Sequence, residues 1–312
     1  MDLLHTEKNL IFNEKGNEIN FKGVSIADPF WIKNVDKLNP LDVVKKAKTL
    51  GSNIIRVPIH PGYWRYEKNY LKKYIDPVVS LSQKLKLYLL LDWHPIGNPK
   101  TNETRRNDKI GKYLVHDVNL NLAKKALKEI SGKYQKRSNV IYEIFNEPAP
   151  GDNPPAFMKI KPLYWKDWKP IAEDLVEVVR KENPFSLIVV GGTKWAYDLS
   201  KVRQNPVNKE NIVYAVHPYP IHKDWDKAFG RTSKKYPVLV TEFGFKKKTR
   251  EKFMRGTKTG YAKPIFKYLK KHKIGWIAWC FNHKWGPRML DSWEPLKYTE
   301  WGQIVKEELK NK

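Results

Sequence analysis

Eight short apolar runs recur along this chain, and most of them close on polar or aromatic residues. They are INFKGVSI (19–26), NIIRVPI (53–59), KLYLLLDWH (86–94), NVIYEIFNEP (139–148), SLIVVGGT (186–193), NIVYAVHPY (211–219), YPVLVTEFG (236–244) and IGWIAWCFN (274–282). A run that is apolar almost throughout, rather than alternating, suits a strand buried on both faces, as in a parallel sheet. Amphipathic stretches fill the gaps. In NPLDVVKKAKTLG, Asn39 is placed to cap a helix, Pro40 fits its first position, and Asp42 sits in its positive first turn. Leu41, Val44, Ala47 and Leu50 follow at helical spacing, and Gly51 stops the helix. The helices between the fifth, sixth and seventh runs are expected to be short. Ahead of the series, LIFNEKGNEINF reads as a hairpin with its turn near Lys15-Gly16-Asn17.

Alternating strands and helices allow an open doubly wound sheet or a closed (β/α)8 barrel. The polar strand ends favour the barrel. Asp92, His94, Asn146, Glu147, His217, Tyr219, Glu242 and Trp279 all lie at or beyond the carboxyl ends of runs. A barrel gathers those ends on one face, which is where barrel enzymes build their sites. An open sheet leaves its first and last strands apart. The expectation is therefore an α/β fold, a (β/α)8 TIM barrel with an N-terminal β-hairpin. No Ser/Gly linker, low-complexity tract or repeat divides the chain, so residues 1–312 are read as a single catalytic domain, with the hairpin at about 10–22 and the barrel at about 20–312.

The formal charge is +26, which invites a nucleic-acid reading. The lysines are dispersed over helix faces, as in VVKKAKTL, and no basic helix or zinc-finger spacing accompanies them. The expectation is no nucleic-acid partner, with only salt-sensitive adsorption to anionic surfaces. The one cysteine, Cys280, excludes an intramolecular disulfide and sits in an apolar setting that suits a core thiol. No apolar run reaches membrane-spanning length, so no membrane insertion is expected. MDLLHTEKNL does not read as a signal peptide. An extracellular location is expected, with the leader absent from this sequence, and a cytoplasmic one is the alternative. No HExxH or close His/Cys spacing appears, and Gly191-Gly192 lacks the surroundings of a phosphate loop. Neither a metal nor another cofactor is expected, and the chain is taken to act as a monomer.

Two of the strand-end residues are the acids Glu147 and Glu242, 95 residues apart. The proposed topology puts them on strands four and seven, across one mouth. A strand-end Glu alone is as readily a solvated residue. Two at matching positions, among Asn, His, Tyr and Arg, suit glycosidic hydrolysis, where a close pair gives retention and a wider gap gives inversion. Phe145 and Pro148 make a poorly solvated setting for Glu147, which favours a proton-holding general acid. Arg56 and Tyr219 are placed to keep Glu242 ionised as a nucleophile. Glu143 shares the parity of Glu147 but lies deeper, and is expected to be a buried acid with a basic or hydrogen-bonding partner.

IYEIFNEP, NIIRVPI, DWH, HPY, TEFG and GWIAW, in this set, resemble glycoside hydrolase family 5, the large cellulase family of retaining (β/α)8 glycosidases. The likeness runs from about residue 10 beyond Gly302. It implies that Glu147 is the acid/base and Glu242 the nucleophile. It implies that Asn146 binds the sugar 2-hydroxyl in the −1 subsite, that Arg56 supports the nucleophile, and that His94, His217 and Tyr219 line the same subsite. Trp279 looks like the floor under the sugar ring. Indole faces stack on sugar C–H faces, so Trp31, Trp64, Trp285 and Trp293 are candidates for outer platforms, while Trp168 reads as packing. The implied activity is a retaining endo-β-1,4-glucanase acting on polysaccharide. The alternatives are a β-mannanase or other β-glucanase on the same fold, and an inactive carbohydrate-binding barrel. The long stretches 93–113, 146–168 and 283–302 carry no assignable pattern.

Overall fold

In the computed structural model, which describes residues 1–151 and 161–311, the apolar runs form eight parallel strands closed into a barrel. These are β1 (Lys22–Ser25), β2 (Ile54–Ile59), β3 (Tyr88–Trp93), β4 (Val140–Glu143), β5 (Ile188–Gly191), β6 (Ile212–Val216), β7 (Val238–Val240) and β8 (Gly275–Ala278). Trp276, Ile277 and Ala278 pair with Lys22, Gly23 and Val24, which closes the ring. Gly23 permits the neighbouring approach of β2, because a Cβ there would lie 1.9 Å from the Ile54 carbonyl oxygen.

The outer ring is helical. Its main members are α1 (Pro40–Thr49), α2 (Asp76–Lys84), α3 (Leu120–Lys133), α4 (Trp165–Glu182), α5 (Lys263–Lys271) and α6 (Glu300–Lys310). Asn39 caps α1 by accepting from Leu41 N, Pro40 opens it, and Val43, Val44 and Ala47 face inward. The connections after β5 and β6 carry only short turns, Thr193–Ala196 and Asp226–Gly230 running into Arg231–Ser233.

Inside the barrel, Ile54, Leu90, Ile141, Val189, Val213, Leu239 and Ile277 make one apolar cluster. Each such side chain contributes roughly 1.5–3 kcal/mol on leaving water. Leu4, Ile11 and Phe21 belong to the same cluster, so the N-terminal segment plugs the amino end of the barrel. The hairpin in that segment begins earlier than expected. Leu4–Glu7 pairs antiparallel with Leu10–Asn13, and the chain reverses at Lys8 and Asn9. The expected turn at Lys15-Gly16-Asn17 exists but closes only an isolated bridge, Phe12 to Glu18. Lys8 adopts φ 54° without a glycine to mark it, so the first strand of the plug carries no turn signature.

The stretch after β3 is also more ordered than its polar sequence suggested. Ile96–Asn98 pairs with Glu103–Thr104, and Lys109–Ile110 with Tyr113–Leu114. The loop after β4 lies partly outside the described residues, which omit 152–160.

Candidate active site

Strand periodicity carries the chemistry upward from the apolar layer. Two residues further along, Ile54 gives way to Arg56, Leu90 to Asp92, Ile141 to Glu143 and Leu239 to Thr241. A single buried guanidinium serves this layer. Arg56 Nε donates to Glu143 Oε2 at 2.6 Å, Nη1 to Glu242 Oε1 at 2.8 Å and Nη2 to Asn146 Oδ1 at 2.7 Å. Nη2 also lies 2.9 Å from Asp92 Oδ2. Burial by itself would lower the Arg56 pKa, but Asp92, Glu143 and Glu242 outweigh it and push it above its ordinary value. Arg56 therefore stays charged and fixes all four partners at once.

Glu242 follows β7 and takes a second hydrogen bond, from Tyr219 Oη to Oε2 at 3.0 Å. Burial lifts its carboxyl above the ordinary range, and the charge and hydrogen bond of Arg56, with that of Tyr219, pull against the rise. Glu147 is aimed by backbone. Asn146 N donates to Trp93 O at 3.0 Å, Glu147 N to Pro95 O at 3.2 Å and Ala149 N to Gly97 O at 2.9 Å. The segment Glu147–Pro148 thus forms a parallel ladder with Ile96 and Gly97, and Pro148, which has no N–H, falls between the donors. Burial, then the nearby charge of Glu242, pushes the Glu147 carboxyl well above its ordinary range.

The two acids converge. One oxygen of each, together with a ring nitrogen of His217, lie within 4.8 Å of one another. His217 Nδ1 is 3.0 Å from Glu147 Oε1 and 3.8 Å from Glu242 Oε2. On the other side of the ring, Nε2 is 2.9 Å from Thr241 Oγ1, and that hydroxyl donates to Glu143 Oε1 at 3.0 Å. A threonine hydroxyl has one hydrogen, and here it goes to the carboxylate held by Arg56. Its oxygen must then accept from His217 Nε2–H. Burial first, and Arg56 second, hold His217 well below its ordinary pKa, so the ring is neutral and Nδ1 is bare. The proton in the Glu147–His217 contact consequently sits on Glu147.

The aromatic candidates divide. Trp279 stacks on His94 with centroids 5.6 Å apart and on Trp285 at 5.7 Å, and Trp31 meets Trp285 at 5.5 Å. His94, Trp279, Trp285 and Trp31 thus form one continuous row of rings. Trp64 is not in it: its ring meets Trp93 edge-on at 6.0 Å, with Lys125 of α3 at 5.9 Å. Trp293 packs on Phe281 at 5.8 Å. Trp168 is buried and donates to Gly191 O at 2.8 Å. Glu143, as expected, is buried against Arg56 and a hydroxyl.

Several site residues were given no role by sequence reasoning. Asp92 and Thr241 stood inside quoted motifs, and strand parity places both in the Arg56 layer. His60 extends the same parity from Arg56 by two steps, yet lies just beyond β2. His116 had no local signal. Lys194, Trp195 and Ala196 form a left-handed turn at φ 58°, 57° and 56°, and Ala196 O accepts from His217 N at 3.0 Å. Non-glycine residues rarely adopt that geometry, and it is held here beside the acid pair. Two groups of side chains are close enough to hold a cation: Glu147 with His217 and Glu242, and His60 with His94 and His116.

Comparison with known proteins agrees with the barrel fold. The family model described as Cellulase (glycosyl hydrolase family 5) matches residues 12–285. Endoglucanase E-5 of Thermobifida fusca is 26% identical over 284 residues, covering 86% of this chain and 53% of that protein. An endoglucanase of Clostridium saccharobutylicum is 28% identical over 237 residues, covering 74% of this chain and 47% of that protein. The chain thus spans about half the length of these curated relatives. Among solved structures, the native β-glucanase SdGluc5_26A of Saccharophagus degradans superposes with a TM-score of 0.89 at 28% identity, covering 100% of this chain and 94% of that one. The same β-glucanase has been solved in complex with cellotetraose.

Proposed function

The chain belongs to glycosyl hydrolase family 5, and from that premise we propose that it is a retaining endo-β-1,4-glucanase. The observation that carries the reading is the acid pair, with carboxylate oxygens within 4.8 Å and unlike partners on each side. Retention is associated with carboxyl groups about 5–5.5 Å apart, too close to admit the water that inversion needs. Glu147, with its proton held against His217 Nδ1, protonates the departing oxygen. Glu242, kept ionised by Arg56 and Tyr219, attacks the anomeric carbon to form a glycosyl-enzyme. Glu147 then takes a proton from water, which displaces Glu242 and releases the sugar.

The remaining groups position substrate. Asn146 gives its Oδ1 to Arg56, so its Nδ2, buried and without a partner among the described residues, is a donor for a sugar hydroxyl. His94, His217 and Tyr219 form the wall of the −1 subsite, and Trp279 its floor. Trp285 and Trp31 continue as stacking platforms, whereas Trp64 is assigned no sugar. The cellotetraose bound by the Saccharophagus degradans β-glucanase supports a β-1,4-glucan as substrate class. A polymer too large to cross a membrane favours action outside the cell. No helix among the described residues is long and apolar enough to span a membrane.

The test is product analysis on carboxymethyl cellulose and mannan side by side, with the first-formed anomer followed by NMR. Cleavage of the glucan with the β-anomer first is expected. An α-anomer first overturns retention. Cleavage of mannan alone makes the protein a mannanase, and binding without cleavage makes it an inactive carbohydrate-binding barrel.

A further inference from the structure

The three histidines His60, His94 and His116 come from different parts of the chain. His60 directly follows β2, His94 directly follows β3, and His116 follows the Lys109–Leu114 hairpin. One ring nitrogen of each lies within 4.8 Å of its counterparts. The ring centroids are 4.5, 4.9 and 5.6 Å apart, with planes crossing at 48°, 71° and 49°. These rings converge instead of stacking. Three imidazoles on a tetrahedral ion, with metal–nitrogen bonds of about 2.0–2.1 Å, would have centroids about 5 Å apart.

Each Nδ1 is already committed. That of His60 is 3.0 Å from Asp28 Oδ2, that of His94 contacts Asp92 Oδ2, and that of His116 is 3.2 Å from His94 O. A carbonyl oxygen only accepts, so His116 carries its proton on Nδ1 and presents a lone pair at Nε2. Asp28 is itself pinned by Tyr70 Oη at 2.7 Å and Phe30 N at 2.8 Å. Carboxylates or a carbonyl behind ring N–H groups are the supports that orient histidine ligands on metals. None of the three Nε2 atoms has a hydrogen-bond partner among the described residues. At the rim, Asp108 Oδ2 lies 4.0 Å from His116 Nε2 and is half exposed. Arg106, the nearest cation at that edge, is paired with Asp108 at 2.9 Å.

We propose that His60, His94 and His116 form a binding site for one late first-row divalent ion, with Zn2+ as the reference. The Nε2 atoms would supply three ligands, and water or Asp108 the fourth. A tetrahedral ion needs its nitrogen ligands about 3.4 Å apart, and the three rings already bring one nitrogen each within 4.8 Å of one another. The site is distinct from the Glu147–His217–Glu242 group, although His94 borders both.

The test is equilibrium binding of Zn2+ and Co2+ to the metal-stripped full chain. One equivalent at micromolar affinity is expected, with the visible absorption of tetrahedral Co2+. His116→Phe and His60→Phe should each weaken binding at least tenfold, while the Glu147→Gln/Glu242→Gln double variant should retain it. Should the His variants fail to fold, NMR of wild-type Co2+ protein reports the ligands directly, as three hyperfine-shifted exchangeable imidazole resonances. Absence of stoichiometric binding by wild type overturns the proposal. So does fewer than three such resonances, or binding lost in the Glu double variant but kept in His116→Phe.

Discussion

The two ends of the barrel are built from the same strands and differ by two residues of height. At the amino end the inward positions are Ile54, Leu90, Ile141 and Leu239, closed from below by Leu4 and Ile11. At the carboxyl end the same strands supply Arg56, Asp92, Glu143 and Thr241, all fully buried. The lower layer gains from leaving water, whereas the upper one gives up hydration and recovers it only through mutual contacts. Asp92 Oδ1 has no partner among the described residues, and burial pushes the Asp92 carboxyl well above its ordinary range. The contrast teaches where each kind of substitution should register. Changes at the plugged end should cost stability and leave turnover per folded molecule alone. Changes at the open end should cost turnover, and some should stabilise.

The largest effect is expected at Glu242. Glu242→Ala should lower kcat by about 10⁴-fold or more while substrate binding and the melting temperature stay near wild type. A small external nucleophile such as azide should restore part of the rate. Full activity in this variant would remove the functional half of the contrast.

Arg56 and Leu4 set the two layers against each other directly. Arg56→Leu leaves three carboxylates around an absent cation and should destabilise by about 3–5 kcal/mol. The molecules that remain folded should also be slow. Leu4→Ala opens a cavity in the plug and should cost about 2–3 kcal/mol. Its kcat, measured well below its unfolding transition, should equal that of wild type. Urea unfolding with activity measured in parallel separates the two, and a loss of kcat in Leu4→Ala would merge the layers the comparison keeps apart.

The same two-residue step explains what the sequence disclosed. Strand runs are long enough for parity to be counted, so the inward positions and their polar ends could be read directly. That is why the barrel and the convergence of Glu147 and Glu242 followed from spacing. Features set by non-local backbone contacts were hidden. The ladder that aims Glu147 uses Ile96 and Gly97, in a stretch with no periodicity to count. The plug strand Leu4–Glu7 is four residues long and turns without glycine. The His60–His94–His116 group joins three separate elements, so no sequence spacing marks it. Trp64 lies near the mouth in sequence, yet its ring turns toward Trp93 and α3.

A smaller effect is expected at Thr241, whose hydroxyl connects Glu143 to His217. Thr241→Val removes the acceptor that holds the His217 proton on Nε2. The ring can then place its proton on Nδ1 and donate to Glu147, which favours the ionised acid. Glu147 should therefore lose its proton at lower pH, moving the alkaline limb of kcat/KM downward and reducing its maximum by about 10-fold. Thr241→Ser should restore both. A limb that stays in place in Thr241→Val would mean that the hydroxyl only packs.

The smallest effect has the most unusual sign. Burial and Glu242 raise the folded-state pKa of Glu147. Such a group contributes stability that is fully present below its unfolded-state pKa and lost as pH rises through the folded-state value. At neutral pH the Glu147 side chain is therefore a liability to the fold, held in place because the open end needs a proton there. Glu147→Gln keeps the shape without the charge. It should be more stable than wild type by about 1 kcal/mol at neutral pH, with the gap closing as pH falls below the ordinary glutamate range. It should also lose the alkaline limb of activity along with most of the activity. The deficit of Leu4→Ala should be the same across that range, because burial pushes Tyr88, the ionisable member of the plug's apolar cluster among the described residues, up to about 12. Urea midpoints for both variants at a series of pH values decide the matter. A Glu147→Gln protein that is no more stable than wild type at neutral pH would mean that burial at the open end carries no cost, and the contrast between the two ends would reduce to chemistry alone.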